Sequence, residues 1–164
     1  MTKIAVFSDT HGNSKNMLTA ITLEKPDIIF HLGDGETDLE TVRQKYPDIP
    51  IRNVRGNCDR FSSSPAMLCF ELEGLIFFLV HGNEHRAKRD TISAEMAAAA
   101  IENSADVVLF GHTHRPLIEE TIGFTVMNPG TCKSCPSPSY GIITIDDEDV
   151  SVNIRYIEPG ESED

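Results

Sequence analysis

The sequence predicts an α/β (α+β) fold in four layers, two mixed β-sheets packed together with helices on their outer faces. Two observations carry that prediction. Through the first third of the chain three short apolar runs each end in a polar loop, and helical patterns follow the first two, as in parallel strands joined by helices. After Pro65 the apolar runs pair as hairpins around one long helix, so the last part is mostly β.

The elements follow in order. Ile4 to Phe7 is a strand that breaks at Ser8-Asp9, and Asn13 or Ser14 offers an N-cap before Met17, Leu18 and Ile21 at helical spacing. Pro26 closes that helix. Asp27 to Leu32 is a second buried strand running into Gly33-Asp34-Gly35, and a helix from about Asp38 to Tyr46 stops at Pro47. Ile51 to Val54 is a third strand, ending at Arg55-Gly56-Asn57-Cys58-Asp59. Met67 to Leu72 and Leu75 to Val80 are β-rich runs split by Glu73-Gly74, a hairpin signal, and the second delivers His81-Gly82. The alanine-rich Ser93 to Asn103 is a helix by propensity. Val107 to Phe110 leads into Gly111-His112-Thr113-His114, and Leu117 to Glu120, Phe124 to Met127, Tyr140 to Ile145 and Val150 to Tyr156 read as antiparallel strands. The stretch Asn128 to Ser139, with its prolines and Cys132-x-x-Cys135, reads as an ordered surface loop near these polar ends.

Length and composition set outer bounds. A chain of 164 residues with 40% hydrophobic content fits one domain over 1–158 with an acidic tail at 159–164. Fourteen basic against 26 acidic residues leave a formal charge of −12, which argues against long nucleic acid as a partner. No apolar stretch approaches a secretory or membrane-spanning length. Four cysteines, Cys58, Cys69, Cys132 and Cys135, are too few and too unevenly spaced for a disulfide framework, so the protein is expected to be soluble and cytoplasmic with reduced thiols. Cys69 reads as a core residue and the Cys132/Cys135 pair as ordinary loop thiols.

The informative pattern is the set of polar motifs at the strand ends. Asp9-x-His11, Gly33-Asp34, Gly56-Asn57, His81-Gly82 and Gly111-His112-Thr113-His114 each follow an apolar run. Singly they mean little, since Gly-Asp is ordinary turn chemistry. Together they place Asp9, His11, Asp34, Asn57, His81, His112 and His114 at one edge, where buried imidazoles and carboxylates need partners. Within Asp9-x-His11 and His112-x-His114 an extended backbone lets both side chains face one cleft. Seven nitrogen and oxygen donors are too many for one ion and suit two that share a bridge.

These five motifs, in this order, resemble the calcineurin-like metallophosphoesterase family, in particular its small single-domain phosphodiesterase branch of bacterial YfcE-type enzymes, over Ile4 to about Val152. The resemblance implies an αββα sandwich with a dinuclear metal centre at its edge. It assigns Asp9, His11 and His114 to one ion, Asn57, His81 and His112 to the other, and Asp34 to the bridge. Two divalent ions would bring +4 against −2 from the aspartates, leaving room for a bridging hydroxide and a phosphodiester oxyanion. The expected reaction is hydrolysis of small phosphodiesters by a metal-bound hydroxide nucleophile, with Asp34, Asn57, His81 and His112 as catalytic residues. Ions that suit the mixed donors are Mn2+, the first choice, and Ni2+, Zn2+ or Fe2+. Neutral imidazoles are needed to ligate, so activity should fall below pH ~6.

Cys58 stands where larger relatives of this kind carry a His that assists the leaving group, which implies a preference for esters with good leaving groups. Asn57, Cys58 and Arg115 are the candidate substrate contacts, Arg115 weighed evenly against a surface ion pair. His31 reads as a satisfied core or supporting histidine. The basic segment His85-Arg86-Ala87-Lys88-Arg89 reads as a solvated helix start. Three functions stay open: the phosphodiesterase, a phosphomonoesterase on the same site, and a protein-interaction scaffold like the retromer subunit of this fold. A homodimer is implied by the resemblance alone.

Overall fold

The computed structural model describes residues 1–147 and 149–158. Ten strands and three helices follow in the order β1 (Thr2–Phe7), α1 (Lys15–Glu24), β2 (Ile28–His31), α2 (Asp38–Lys45), β3 (Ile51–Asn53), β4 (Met67–Leu72), β5 (Leu75–Val80), α3 (Ala94–Glu102), β6 (Val107–Leu109), β7 (Leu117–Glu120), β8 (Thr125–Asn128), β9 (Ser139–Asp146) and β10 (Asp149–Tyr156), with a short 3-10 turn at Asn83–His85. The first sheet has the order β10-β9-β1-β2-β3 and the second β4-β5-β6-β8-β7. Strands β1, β2 and β3 are parallel, as are β5, β6 and β8, while β9 and β10 add on antiparallel beside β1.

Alternation along the strands builds the four layers. Ile4 and Val6 of β1 join Phe30, Phe77, Leu79, Leu109, Met127 and Ile143 in the core between the sheets. Their neighbours Ala5 and Phe7 turn the other way, against Met17, Ala20 and Ile21 of α1 and Leu39 and Val42 of α2. Phe78 and Val80 of β5 likewise face out of the second sheet onto Met96 and Ala100 of α3. This period-two split is what a sheet covered on both faces requires. The expected αββα arrangement is the one observed.

The helix ends follow the local chemistry. Ser93 caps α3, its Oγ accepting from Met96 N at 3.1 Å. At α1 the acceptor is Asn13 Oδ1, bonded by Lys15 N at 2.9 Å, while Ser14 occupies the cap position without a side-chain bond. Two expectations need correction. Cys69 is exposed: β4 is an edge strand in which Leu68, Phe70 and Leu72 pack on the core, and the pleat sends Cys69 to the other face. Strand β8 is not purely antiparallel, because it pairs parallel with β6 on its inner side. The acidic tail at 159–164 lies outside the described residues. No helix among them is long and apolar enough to cross a membrane.

Candidate metal centre

The carboxyl ends of β1, β2, β3, β5 and β6 lie along one edge, and the loops that leave them bring all seven donor residues together. The donor atoms form two groups. In one, His114 Nε2 stands 3.2 Å from Asp9 Oδ1 and 3.2 Å from His11 Nε2. In the other, His112 Nδ1 stands 3.3 Å from His81 Nε2 and 3.1 Å from Asn57 Oδ1. Asp34 Oδ2 lies between them, 3.1 Å from His81 Nε2 and 3.8 Å from His11 Nε2.

The backbone reaches this geometry by a route the spacing did not predict. Asp9, His11, Asp34, His112 and His114 all have positive φ, between 46° and 68°. Both Asp-x-His and His-x-His are therefore tight left-handed turns, not extended segments, and the pairs converge because the chain curls around Thr10 and Thr113. Asp and His tolerate this region better than most residues, yet each instance still costs about 1 kcal/mol. Concentration of that cost at one edge marks a place where the fold imposes geometry for a purpose other than stability.

Hydrogen bonds hold the turns from behind. Asp59 accepts four backbone N–H groups: Oδ2 from Asp34 at 2.8 Å and Gly56 at 2.8 Å, Oδ1 from Gly35 at 3.0 Å and Glu36 at 3.1 Å. Gly56 is needed beside it, because a Cβ there would overlap Asp34 Oδ1 and sit 2.5 Å from Asp34 N. His31, fully buried, accepts Gly33 N–H on Nδ1 at 3.1 Å. Its other nitrogen therefore carries the proton and donates to Thr10 Oγ1 at 3.1 Å, whose hydroxyl donates in turn to Asp38. Thr131 Oγ1 donates to the Asp9 carbonyl at 2.7 Å, and Asn128 Nδ2 donates to the Gly111 carbonyl at 3.0 Å and to Thr113 Oγ1 at 3.0 Å. The Asn128 to Ser139 stretch thus supports two donor turns, and Cys132 within it is buried against Phe7 and Tyr140.

Charge settles the protonation of the donors. Burial works against ionised Asp34, but the hydrogen bonds from His81 and from Cys58 N outweigh it and hold the carboxyl well below its ordinary range. Asp9 is lowered in the same way, burial being overcome by His114, His81 and Ser8. Burial lowers His81, but Asp34 and Asp9 reverse that and the net shift is upward. His112 shifts down through burial and the neighbouring His81. His81 Nδ1 lies 2.8 Å from the Leu32 carbonyl, an acceptor only, so Nδ1 bears a proton, and Nε2, whose proton bonds Asp34 at 3.1 Å in the ion-free chain, is the ligand atom once that proton leaves.

One atom stands apart. Asp9 Oδ1 is the sole buried side-chain nitrogen or oxygen among the described residues without a hydrogen bond. Imidazole nitrogens of His114, His11 and His81 surround it at 3.2, 3.5 and 3.8 Å without aligning on it. A buried, ionised, unpaired oxygen costs several kcal/mol unless something positive meets it. Asp9, His11 and His114, and separately Asp9, Asp34 and His81, offer ligand atoms within 4.8 Å of one another, and either set could hold a metal ion.

The remaining candidates lie further out. Cys58 is exposed at the rim, its thiol pushed up by the little burial it has and by the Asp34 charge, and so kept protonated. Arg115 is exposed and pairs with Asp90 at 3.3 Å, as a surface ion pair would. His85 packs edge-on to Phe78, and Arg86 reaches Glu95 at 3.9 Å. Sequence reasoning missed Asp38 and Thr131 as supports, weighed Asn128-Pro129-Gly130 evenly between a plain turn and a structural role in lining the site, and left Asp59 without a role. Only the motif position of Asp59, two residues after Asn57, was a usable signal.

Comparison with known proteins places this geometry. Residues 2–148 match the calcineurin-like phosphoesterase superfamily domain. A probable metallophosphoesterase of Mycoplasma pneumoniae is 34% identical over 141 residues, covering 84% of each chain. A phosphodiesterase of Methanocaldococcus jannaschii is 28% identical over 156 residues, covering 79% of this chain and 84% of its own. Among solved structures, a Streptococcus pneumoniae protein described as a predicted phosphoesterase superposes with a TM-score of 0.75 at 27% identity, covering 99% of this chain and 95% of that one. Zinc-complexed Vps29 of Entamoeba histolytica shares the fold at a TM-score of 0.75 and 18% identity, covering 94% and 98%. With the family model spanning nearly the whole chain, the protein belongs to the calcineurin-like phosphoesterase superfamily.

Proposed function

We propose that the chain is a phosphodiesterase that binds two divalent ions, acting as one domain over residues 1–158 in a cytoplasm that keeps its thiols reduced. Asp9, His11 and His114 would hold one ion, Asn57, His81 and His112 the other, and Asp34 would bridge them. When bound, such ions bring a water toward neutral pKa and offset the charge gathering on the phosphoryl oxygens. The mixed nitrogen and oxygen donors suit manganese first, and zinc, iron or nickel as well.

The chain's own groups supply the rest. Asp34 stays ionised because His81 and Cys58 N bond it, and its Oδ2 faces both donor groups, 3.1 Å from His81 Nε2 and 3.8 Å from His11 Nε2. The Leu32 carbonyl holds the proton of His81 on Nδ1 and leaves Nε2 to ligate. Neutral Asn57 keeps the total donor charge at two, which leaves net positive charge for an anionic diester. Cys58, a neutral thiol at the rim, and Asn57 would meet the phosphoryl oxygens, and Arg115 would join them only on leaving its ion pair with Asp90. The observation that carries this reading is Asp9 Oδ1, buried without an aligned hydrogen bond among the imidazole nitrogens of His114, His11 and His81 at 3.2, 3.5 and 3.8 Å, a setting that a cation would satisfy.

Metal analysis of the purified protein, followed by hydrolysis of bis(p-nitrophenyl) phosphate with added manganese, tests it. Two ions per chain and turnover that Asp34→Asn abolishes are expected. A metal-loaded protein with no turnover, or an Asp34→Asn variant with full activity, overturns it.

A further inference from the structure

Phe61 is the most exposed large aromatic side chain of the described residues, at 105% of its reference area. It also sits at φ +61°, in the left-handed region that a bulky residue without a local hydrogen bond rarely adopts. An apolar ring turned fully to water at a conformational cost gains the fold nothing, and such an outlier points to function.

The loop that carries it is anchored. On one side Asp59 takes its four backbone N–H groups, and on the other Ser64 accepts Asn53 Nδ2 at 3.1 Å, donates to Glu36, and offers its carbonyl to Arg55 Nη1 at 2.9 Å. Phe61 therefore projects from a fixed turn. Its ring borders a groove of about 520 Å³ lined also by Glu36, Thr37, Cys58 and Arg60. Thr37, Cys58 and Asp59 are shared with a second cavity of about 270 Å³ that opens on His11 and Asp34. The two cavities thus adjoin along these residues, between the donor cluster and Phe61. Across the cluster, beside Asn57 and His81, a polar cavity of about 250 Å³ is lined by Arg55, Asn83, Glu84 and His85.

A diester seated on the donors has one cleft for each arm, whereas a monoester would leave one unused. We infer that Phe61 is the stacking platform for a planar aromatic ester arm, a nucleobase or an aryl ring, and so a specificity-determining residue of the phosphodiesterase reaction. The inference rests on the phosphodiester reading above. The ring offers an open π-face at the edge of a groove that adjoins the donor cluster, and stacking of this kind tolerates any planar partner.

The test compares the manganese-loaded wild type with Phe61→Ala, Phe61→Leu and Phe61→Trp on bis(p-nitrophenyl) phosphate, with inhibition by ring-free dimethyl phosphate alongside. Expected are a rise of about tenfold in KM for Phe61→Ala, recovery by Trp and not by Leu, and an unchanged inhibition constant for dimethyl phosphate. Metal content and melting temperature should stay at wild-type values. An unchanged KM, recovery by Leu equal to that by Trp, or loss of a dimer in Phe61→Ala overturns the inference and leaves the phosphodiester reading standing. A wild type that hydrolyses no diester overturns both.

Discussion

Removing the Asp59 carboxylate should loosen the donor cluster from behind. Its two oxygens accept N–H groups from Asp34, Gly35, Glu36 and Gly56 at 2.8 to 3.1 Å, and one of these is the backbone of the residue proposed as the bridge. A hydrogen bond to a charged group contributes ~1.5 to 3 kcal/mol when its loss leaves a buried donor unpaired. Asp59 is only partly buried, so water will replace part of that, and ~1 kcal/mol per bond gives about 4 kcal/mol for Asp59→Ala. In a domain of this size that lowers the melting temperature by roughly 8 to 16 °C. Asp59→Asn keeps one acceptor oxygen and turns an NH2 toward the other two donors, so about half the loss is expected. Supporting groups of this kind change metal affinity by ~10- to 100-fold, and a similar weakening should appear in manganese titrations of both variants. Melting followed with and without ion, with titration calorimetry, measures both effects. An Asp59→Ala protein within ~1 kcal/mol of the wild type, binding ions with unchanged affinity, would refute the assignment.

Other consequences can be checked separately. Burial holds His31 down to about 4, against an ordinary value of 6.5. Between those values the unfolded chain takes the proton and the folded chain refuses it, so stability should fall as pH drops from 6.5 to 4, by about 3 kcal/mol in all. His31→Gln should flatten that slope in pH-dependent melts; an unchanged slope would remove His31 as its source. His81 shifts the opposite way, so a proton competes with the ion, and manganese affinity should weaken as pH falls through the upward-shifted His81 range. Affinity flat from pH 5 to 8 would contradict this. Gly56→Ala drives a Cβ into Asp34 Oδ1 and should cost ~1 to 3 kcal/mol together with most of the bound metal, read by melting and elemental analysis. Chelation of two ions held at a hundred times their dissociation constants should remove ~5 kcal/mol of stability, a drop of about 10 to 20 °C that excess manganese reverses.

What the sequence disclosed depends on how far apart the interacting residues lie. The strands were legible because each apolar run carries its own period and ends in turn residues. The convergence of the seven candidate donors was legible because each sits within a few residues of such an end. The supports were not: Thr131 reaches Asp9 across 122 positions and Asn128 reaches Gly111 across 17, and neither contact leaves a local pattern. Strand order was equally hidden, since β9 comes home to lie beside β1 after the whole second sheet has been laid down. The misplacement of Cys69 had a different cause. Its neighbours Leu68, Phe70 and Leu72 already declared the inward face of β4, so the pleat should have overruled the usual preference of cysteine for the interior.

The same distinction explains why the donor turns are left-handed. An extended Asp-x-His would send both side chains to one face at a separation set by the strand, about 6 to 7 Å for residues two apart. The turns instead bring Asp9 Oδ1 within 3.5 Å of His11 Nε2, and His112 N donates to Asp9 Oδ2 at 3.0 Å across the two loops. That contraction is unfavourable in an ion-free chain, because it sets five residues at positive φ and leaves the buried Asp9 Oδ1 without a hydrogen bond. The hydrogen bonds of Asp59, His31, Thr131 and Asn128 offset it, and they touch the turns almost wholly through backbone and hydroxyl groups, leaving the donor atoms free. A cluster held in this way keeps its shape whether or not an ion is present, so ion binding should order little of the chain. Manganese should therefore raise the melting temperature while leaving the far-ultraviolet circular dichroism of the apo protein unchanged. A gain of helix or strand signal on loading would mean that the ion, and not the hydrogen-bonded frame, shapes the turns.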